Sequence, residues 1–187
     1  MPRARAFTLS LATSLALGLG AVPAAQAGPL SVSRDGREVL DPAAHLAWDR
    51  CLWGQRWSGQ ACTGTPVLLR QAEALARARE QARQSGVAWR LPRVAELQKL
   101  PRRGGEGLDP KLFPGAPADW HWSGTPALVR QPVNPYNYGS VMRGETGQPG
   151  ADTTFVNGWA VHLGDGQARD DVPRQSRLAV RLVRDLR

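Results

Sequence analysis

Residues 65–101, TPVLLRQAEALARAREQARQSGVAWRLPRVAELQKLP, decide the fold class. Thr65 is a capping type, Pro66 suits a first helical turn and Gly86 is a stop signal, so a helix is predicted over 66–85. Leu68, Ala72, Leu75, Ala78 and Ala82 recur at helical spacing and form one apolar stripe. Arg70, Arg77, Arg83, Glu73 and Glu80 fall mostly off that stripe and read as a solvated face. A second, shorter helix is predicted over 93–100, between Pro92 and Pro101, with Val94, Leu97 and Leu100 inward.

On the N-terminal side, Leu30, Val32 and Val39 flank Arg34-Asp35-Gly36-Arg37, a hairpin signal. His45 to Arg50 reads as a strand with Leu46 and Trp48 on one face. It leads into Cys51 and an irregular loop holding Trp53, Gly54, Trp57 and Gly59 as far as Cys62. Beyond Pro101 come the charged, Gly-rich stretch Arg102–Gly107 and a strand at Trp120 and Trp122 running into Ser123. Residues 126–153 lack periodicity, and a loop of that length inside a domain is uncommon unless functional or disordered. Phe155–Leu163 follows as a strand with Trp159, Val161 and Leu163 on one face. Gly164-Asp165-Gly166 turns the chain, and Leu178–Val183 is the expected last strand. Two helices followed by strands and long loops make an α+β arrangement.

Arg3 and Arg5, a short Leu/Ala run through Leu9, Leu11, Leu15, Leu17 and Leu19, and Ala25-Gln26-Ala27 have the pattern of a cleavable signal peptide. The expectation is a leader at 1–27 and one domain at 28–187, exported to the periplasm or secreted, with no membrane span after cleavage. The two cysteines, Cys51 and Cys62, then argue for a disulfide. A metal site would need further ligands at suitable spacing. The formal net charge of +8 falls to +6 without Arg3 and Arg5, and only Lys99 and Lys111 of the basic residues are lysine. For an exported chain the expected polyanion is an acidic polysaccharide rather than nucleic acid, since the Arg fork makes two parallel bonds to sulfate. A plain solvated basic surface is the alternative.

Catalytic motifs are lacking. There is no nucleophile elbow, Walker loop or His-Glu-x-x-His, and His45, His121 and His162 stand apart without ligand spacing. Asp165, Asp170 and Asp171 do not space as a calcium loop and read as turn and surface residues. Neither an enzymatic activity nor a cofactor is expected.

A series of short pieces resembles the Lcl C-terminal domain family of exported bacterial domains. They are Leu46-Ala47-Trp48-Asp49-Arg50-Cys51; Gly54-Gln55 with Trp57, Gly59 and Cys62-Thr63-Gly64; and Trp89-Arg90-Leu91-Pro92 with Glu96-Leu97. Phe113-Pro114, Trp120-His121-Trp122-Ser123, Trp159-Ala160-Val161 and Val180-Arg181-Leu182-Val183-Arg184 complete the series, which covers about residues 39–184. The resemblance implies a C-type lectin-like fold, two helices against small antiparallel sheets, and a surface or exported location. It also implies binding of sulfated glycosaminoglycans in an adhesin member. The family usually places Thr or Asn after Trp-Arg-Leu-Pro as a helix cap; Arg93 stands there in this chain, so that cap is expected to be lost. The formylglycine-generating enzymes share a related fold and an Arg-Leu-Pro stretch, but lack of a C-terminal cysteine pair here removes their chemistry. Gln148-Pro149-Gly150 is the nearest approach to a lectin calcium motif and has no carboxylate, so any sugar binding is expected without calcium.

At the family positions Trp48, Trp89, Trp120, Trp122 and Trp159 are expected in the core, with Leu91, Pro92, Leu97 and Ser123 beside them and Arg90 paired to Glu96. Trp53 and Trp57 are left open between packing and sugar stacking. The candidate ligand residues are Arg130, Asn134, Tyr136, Asn137, Tyr138 and Arg143 of the long loop, with a tolerated surface insertion as the alternative. The resulting expectation is a binding module for an acidic or sulfated glycan or another surface polymer. An envelope protein-interaction module is the second reading.

Overall fold

The computed structural model describes residues 28–103, 106–127, 142 and 157–186. In chain order the first elements are β1 (Ser31–Val32), β2 (Glu38–Asp41), β3 (Leu46–Asp49), β4 (Arg56–Trp57) and β5 (Cys62–Thr63). Helices α1 (Gln71–Ser85) and α2 (Val94–Lys99) follow, then β6 (Trp120–Trp122), β7 (Asn157–His162), β8 (Ala168–Pro173) and β9 (Val183–Asp185). All three sheets, β1-β2-β3-β9, β4-β5 and β6-β7-β8, are antiparallel, so the architecture is α+β. No helix among the described residues is long and apolar enough to cross a membrane.

The Asp35-Gly36 turn forms as expected: the Asp35 carboxylate accepts from the Ser33 hydroxyl at 2.7 Å and the Arg37 N–H at 3.2 Å. Trp57 packs so closely on Gly36 that a Cβ there would lie 2.6 Å from the indole nitrogen. Arg50 covers the same indole, its Cζ 4.2 Å from the ring centre, and donates to the carbonyls of Leu112, Lys111 and Gly36. Trp57 is therefore a packing residue. The Cys51–Cys62 disulfide is formed, and the loop it closes is more regular than expected because β4 and β5 pair inside it.

The first helix begins five residues later than the sequence signals suggest. Leu69 and Leu178 exchange both backbone hydrogen bonds at 3.0 Å, and the Val67 N–H donates to Trp53. These pairings hold 66–70 extended, so tertiary contacts override the Thr65-Pro66 start signal. The inward face shifts accordingly: Gln71, Ala74 and Ala78 are buried, whereas Leu68 and Ala72 are exposed. Gly86 ends the helix with φ of 68°, the left-handed conformation that glycine adopts without cost.

The second helix matches its expected place, but its cap is rebuilt. Arg93 offers no side-chain cap; the Thr125 hydroxyl instead accepts from the Val94 N–H at 3.0 Å, and Glu96 accepts from the Arg93 N–H at 2.7 Å. At the other end Arg102 donates to the carbonyls of Gln98 and Leu97, adding to the bond that the Leu100 N–H gives Leu97.

Two apolar clusters form the core, one on each face of the β6-β7-β8 sheet. Val161 and Leu163 join Trp48, Leu97 and Phe113 on one side; Ala160 and Trp122 join Leu69, Ala74 and Leu91 on the other. Of the five tryptophans expected in the core, Trp48 and Trp122 are enclosed, while Trp89, Trp120 and Trp159 are half-buried.

The expected last strand at 178–183 is also redistributed. Its residues bond outward to several elements in turn: Leu178 to Leu69, Ala179 to Trp122, Val180 to Trp53 and Leu182 to Asp49. Only Val183–Asp185 runs as a ladder, against β3. The reason lies in Arg181, which is buried and donates through one nitrogen to the carbonyls of Asp49 and Arg50 at 2.8 and 2.7 Å. A side chain thus takes acceptors that a neighbouring backbone would use. Its guanidinium lies 4.6 Å from the Phe113 ring centre, and burial lowers its pKa to about 10.

Candidate functional site

The strand missed in the sequence, β8, forms one wall of an open surface groove. Ala168–Pro173 is polar and lies at a sheet edge, so it lacks the apolar alternation that marks a strand. The Gly164-Asp165-Gly166 turn was the available signal, because a hairpin turn after β7 requires a partner strand. Cross-strand pairs run Ala160 to Arg169 and Gly158 to Val172, which sets Asp170 and Asp171 together against Trp159. This bulge lets Arg169 and Val172, three residues apart, share one face; uninterrupted alternation would have separated them.

That face carries an open groove of about 220 Å³ lined by Trp120, Arg169, Asp171, Val172, Pro173 and Leu178. Trp120 is held from both sides of the chain. The Asp119 carboxylate accepts from its backbone N–H, and the strand continues into enclosed Trp122, whose indole N–H donates to Leu69 at 2.7 Å. The ring of His162 stands 5.3 Å away at 56°, and His162 Nδ1 lies 3.0 Å from the Asp165 carboxylate. Hydrogen bonding, first from the Gln167 N–H and then from His162, holds Asp165 below the usual carboxylate range.

Arg169 stands 6.0 Å from the Trp120 ring centre. Its Nε and one terminal nitrogen donate to the two oxygens of Asp171, both at 2.9 Å. The hydrogen bonds lower the Asp171 pKa and raise that of Arg169. Around the groove, the Arg174 Nε donates to the Asn157 carbonyl, and Arg70 and Arg177 flank the Leu69–Leu178 bridge on opposite strands. A flat aromatic surface beside a guanidinium fork can stack on a ring and bond two oxygens of an anion at once.

The groove is not the site expected from the sequence. Arg130, Asn134, Tyr136, Asn137, Tyr138 and Arg143 lie outside the described residues. The chain leaves the described framework at Ala127 and re-enters it at Asn157, which pairs with the groove residue Pro173. Arg169 carried no sequence signal of its own, and Asp171 read as a surface residue.

The remaining family positions form a structural junction. Arg90 is bidentate to Glu96 at 2.9 Å and also meets Asp185 at 3.0 Å. Burial works against the Glu96 charge, yet the bonds from Arg90 and the Arg93 N–H keep its pKa below the ordinary value. Buried Ser123 donates to the Pro92 carbonyl at 3.0 Å and lies 3.1 Å from the Thr125 hydroxyl. The Trp-Arg-Leu-Pro and Trp-His-Trp-Ser pieces therefore meet in space. Among the described residues no group of three or more His, Cys, Asp or Glu is placed to hold a metal ion.

No curated protein and no solved structure matches the chain. The sequence pattern described as the Lcl C-terminal domain matches residues 37–184, which takes in β2 and β3, the disulfide loop, both helices and the groove. The chain belongs to the Lcl C-terminal domain family.

Proposed function

We propose that this chain is an exported, non-catalytic binding module for an acidic or sulfated glycan, acting without calcium on a C-type lectin-like scaffold. The observation that carries the reading is the groove in which half-buried Trp120 stands beside the Arg169 fork. An apolar ring face and a bidentate cation suit a pyranose bearing a carboxylate or sulfate. The leader-like residues 1–27 and the disulfide support export. A non-catalytic role is supported by where the strongly perturbed groups lie: among the described residues Asp49, His121 and Arg181 sit within the fold and do not line the groove.

The test is an array of sulfated, uronic-acid and neutral glycans probed with residues 28–187, with and without EDTA. Binding confined to acidic glycans, indifferent to EDTA, weakened by salt and lost in Trp120→Ala or Arg169→Gln is the expected result. A blank array overturns the reading. Val67 and Leu68, each 45% exposed, favour a second reading, an envelope protein-interaction module. Binding through such a patch would hardly respond to salt.

A further inference from the structure

We propose that Asp171 is an internal stand-in for the anionic group of the ligand: it closes the Arg169 fork in the free protein and is displaced when the carboxylate or sulfate of a bound sugar takes its place. The inference rests on the acidic-glycan reading of the groove and adds to it a residue that sets selectivity.

The pairing has the geometry of the complex it imitates. Two coplanar carboxylate oxygens each accept one N–H of the guanidinium at 2.9 Å, as those of an external carboxylate would. Both partners line the groove, with the guanidinium 6.0 Å from the Trp120 ring centre, within reach of a substituent on a stacked sugar ring. Both side chains remain in contact with water, at 56% and 57% exposure. An exposed pair of this kind is worth about 0–1 kcal/mol, so exchanging one oxyanion for another is easy.

Selectivity follows from that exchange. A neutral sugar brings no charge to replace the one it would displace, and leaves Asp171 in place. A sugar with a carboxylate or sulfate restores both bonds to Arg169 and gains the stacking on Trp120. Asp171 thus competes with any ligand group for the fork, and only a bidentate oxyanion regains both bonds on displacing it.

The experiment is calorimetric titration of dextran sulfate, with unsulfated dextran as the neutral control, into wild type, Asp171→Asn, Asp170→Asn and Arg169→Gln. Asp170→Asn removes the same charge from the neighbouring residue without freeing the fork. Thermal midpoints confirm that each variant is folded. The expected result is binding about two- to fivefold tighter for Asp171→Asn, the fold-change equivalent of the pair's worth. Asp170→Asn should stay near wild type, Arg169→Gln should bind weakly, and unsulfated dextran should not bind. Equal gains in Asp170→Asn and Asp171→Asn would reduce the effect to net charge and overturn the proposal. A loss in Asp171→Asn would make Asp171 a direct acceptor for sugar hydroxyls, and overturn it too. Unchanged binding in Arg169→Gln would remove the groove from the function altogether, and no binding by any of the proteins would retire the acidic-glycan reading with it.

Discussion

The Thr125 hydroxyl lies 3.0 Å from the backbone nitrogen of Val94, so a residue thirty-one positions downstream caps the second helix. Arg93, the residue at the cap position itself, contributes no side-chain oxygen. Replacing Thr125 by Val should lower stability by about 1 kcal/mol, the usual worth of a helix cap, whereas Thr125→Ser should preserve it. Introducing Arg93→Asn into the Thr125→Val variant should recover part of the loss. Urea unfolding of the four proteins measures this, and a Thr125→Val midpoint equal to wild type would assign the capping to Glu96 alone.

Two interior groups oppose each other in acid. Burial lowers the pKa of His121 to about 4, so between its ordinary value of 6.5 and 4 the unfolded chain binds a proton that the folded one refuses, and acidification destabilises. Burial raises Asp49 to about 6 from 3.8, so over 6 to 3.8 the folded chain binds the extra proton and acidification stabilises. Each contributes a slope of at most about 1.4 kcal/mol per pH unit. Between pH 6 and 4.5 the two largely cancel. His121→Gln should therefore gain stability relative to wild type as the pH falls through that window, and Asp49→Asn should lose it. Thermal unfolding of the three proteins at pH 6 and 4.5 checks the sign; parallel profiles would contradict it.

The disulfide ties Cys62 of β5 back to Cys51, two residues past the end of β3, and so closes the loop that holds the β4-β5 ladder. Loop-closure entropy predicts that the Cys51→Ser/Cys62→Ser pair loses about 3 kcal/mol. The shift in urea midpoint at constant m-value reads this directly. A change in m-value would show that removing the cross-link also alters how compact the unfolded chain is.

Gly158 sits against the side chain of Gln71, with no room for a methyl group: a built Cβ would collide with all three terminal atoms of the amide. Gly158→Ala should cost about 1–3 kcal/mol by overpacking. Gln71→Ala opens that space, so the double variant should be more stable than the sum of the single effects implies. Strict additivity would show that the constraint at Gly158 comes from its backbone.

Much of this architecture was readable where local signals and tertiary pairing agree. The Asp35-Gly36 hairpin, the Gly86 stop, the second helix, the disulfide and the Arg90–Glu96 pair all follow from residue type and spacing. The reading failed where a distant partner decides. Leu69 is extended because Leu178 pairs with it, and Arg181 breaks up the last strand by taking two carbonyls from the β3 end. Neither partner is marked by local sequence. The groove was illegible for a related reason: Arg169 and Val172 share a face only through a bulge, and Trp120 is open only because β8 leaves space beside it. Its six lining residues come from three separate stretches, so no window of sequence contains the site.

The described framework is tied down by its own hydrogen bonds both just before Ala127 and at Asn157. Thr125 is held by Ser123 and Val94, while Asn157 is held by Pro173 and Arg174. Each edge of the frame that carries the groove thus has hydrogen bonds of its own to residues distant in the chain, so Thr125 and Asn157 are positioned separately: one by the start of the second helix, the other by the end of β8.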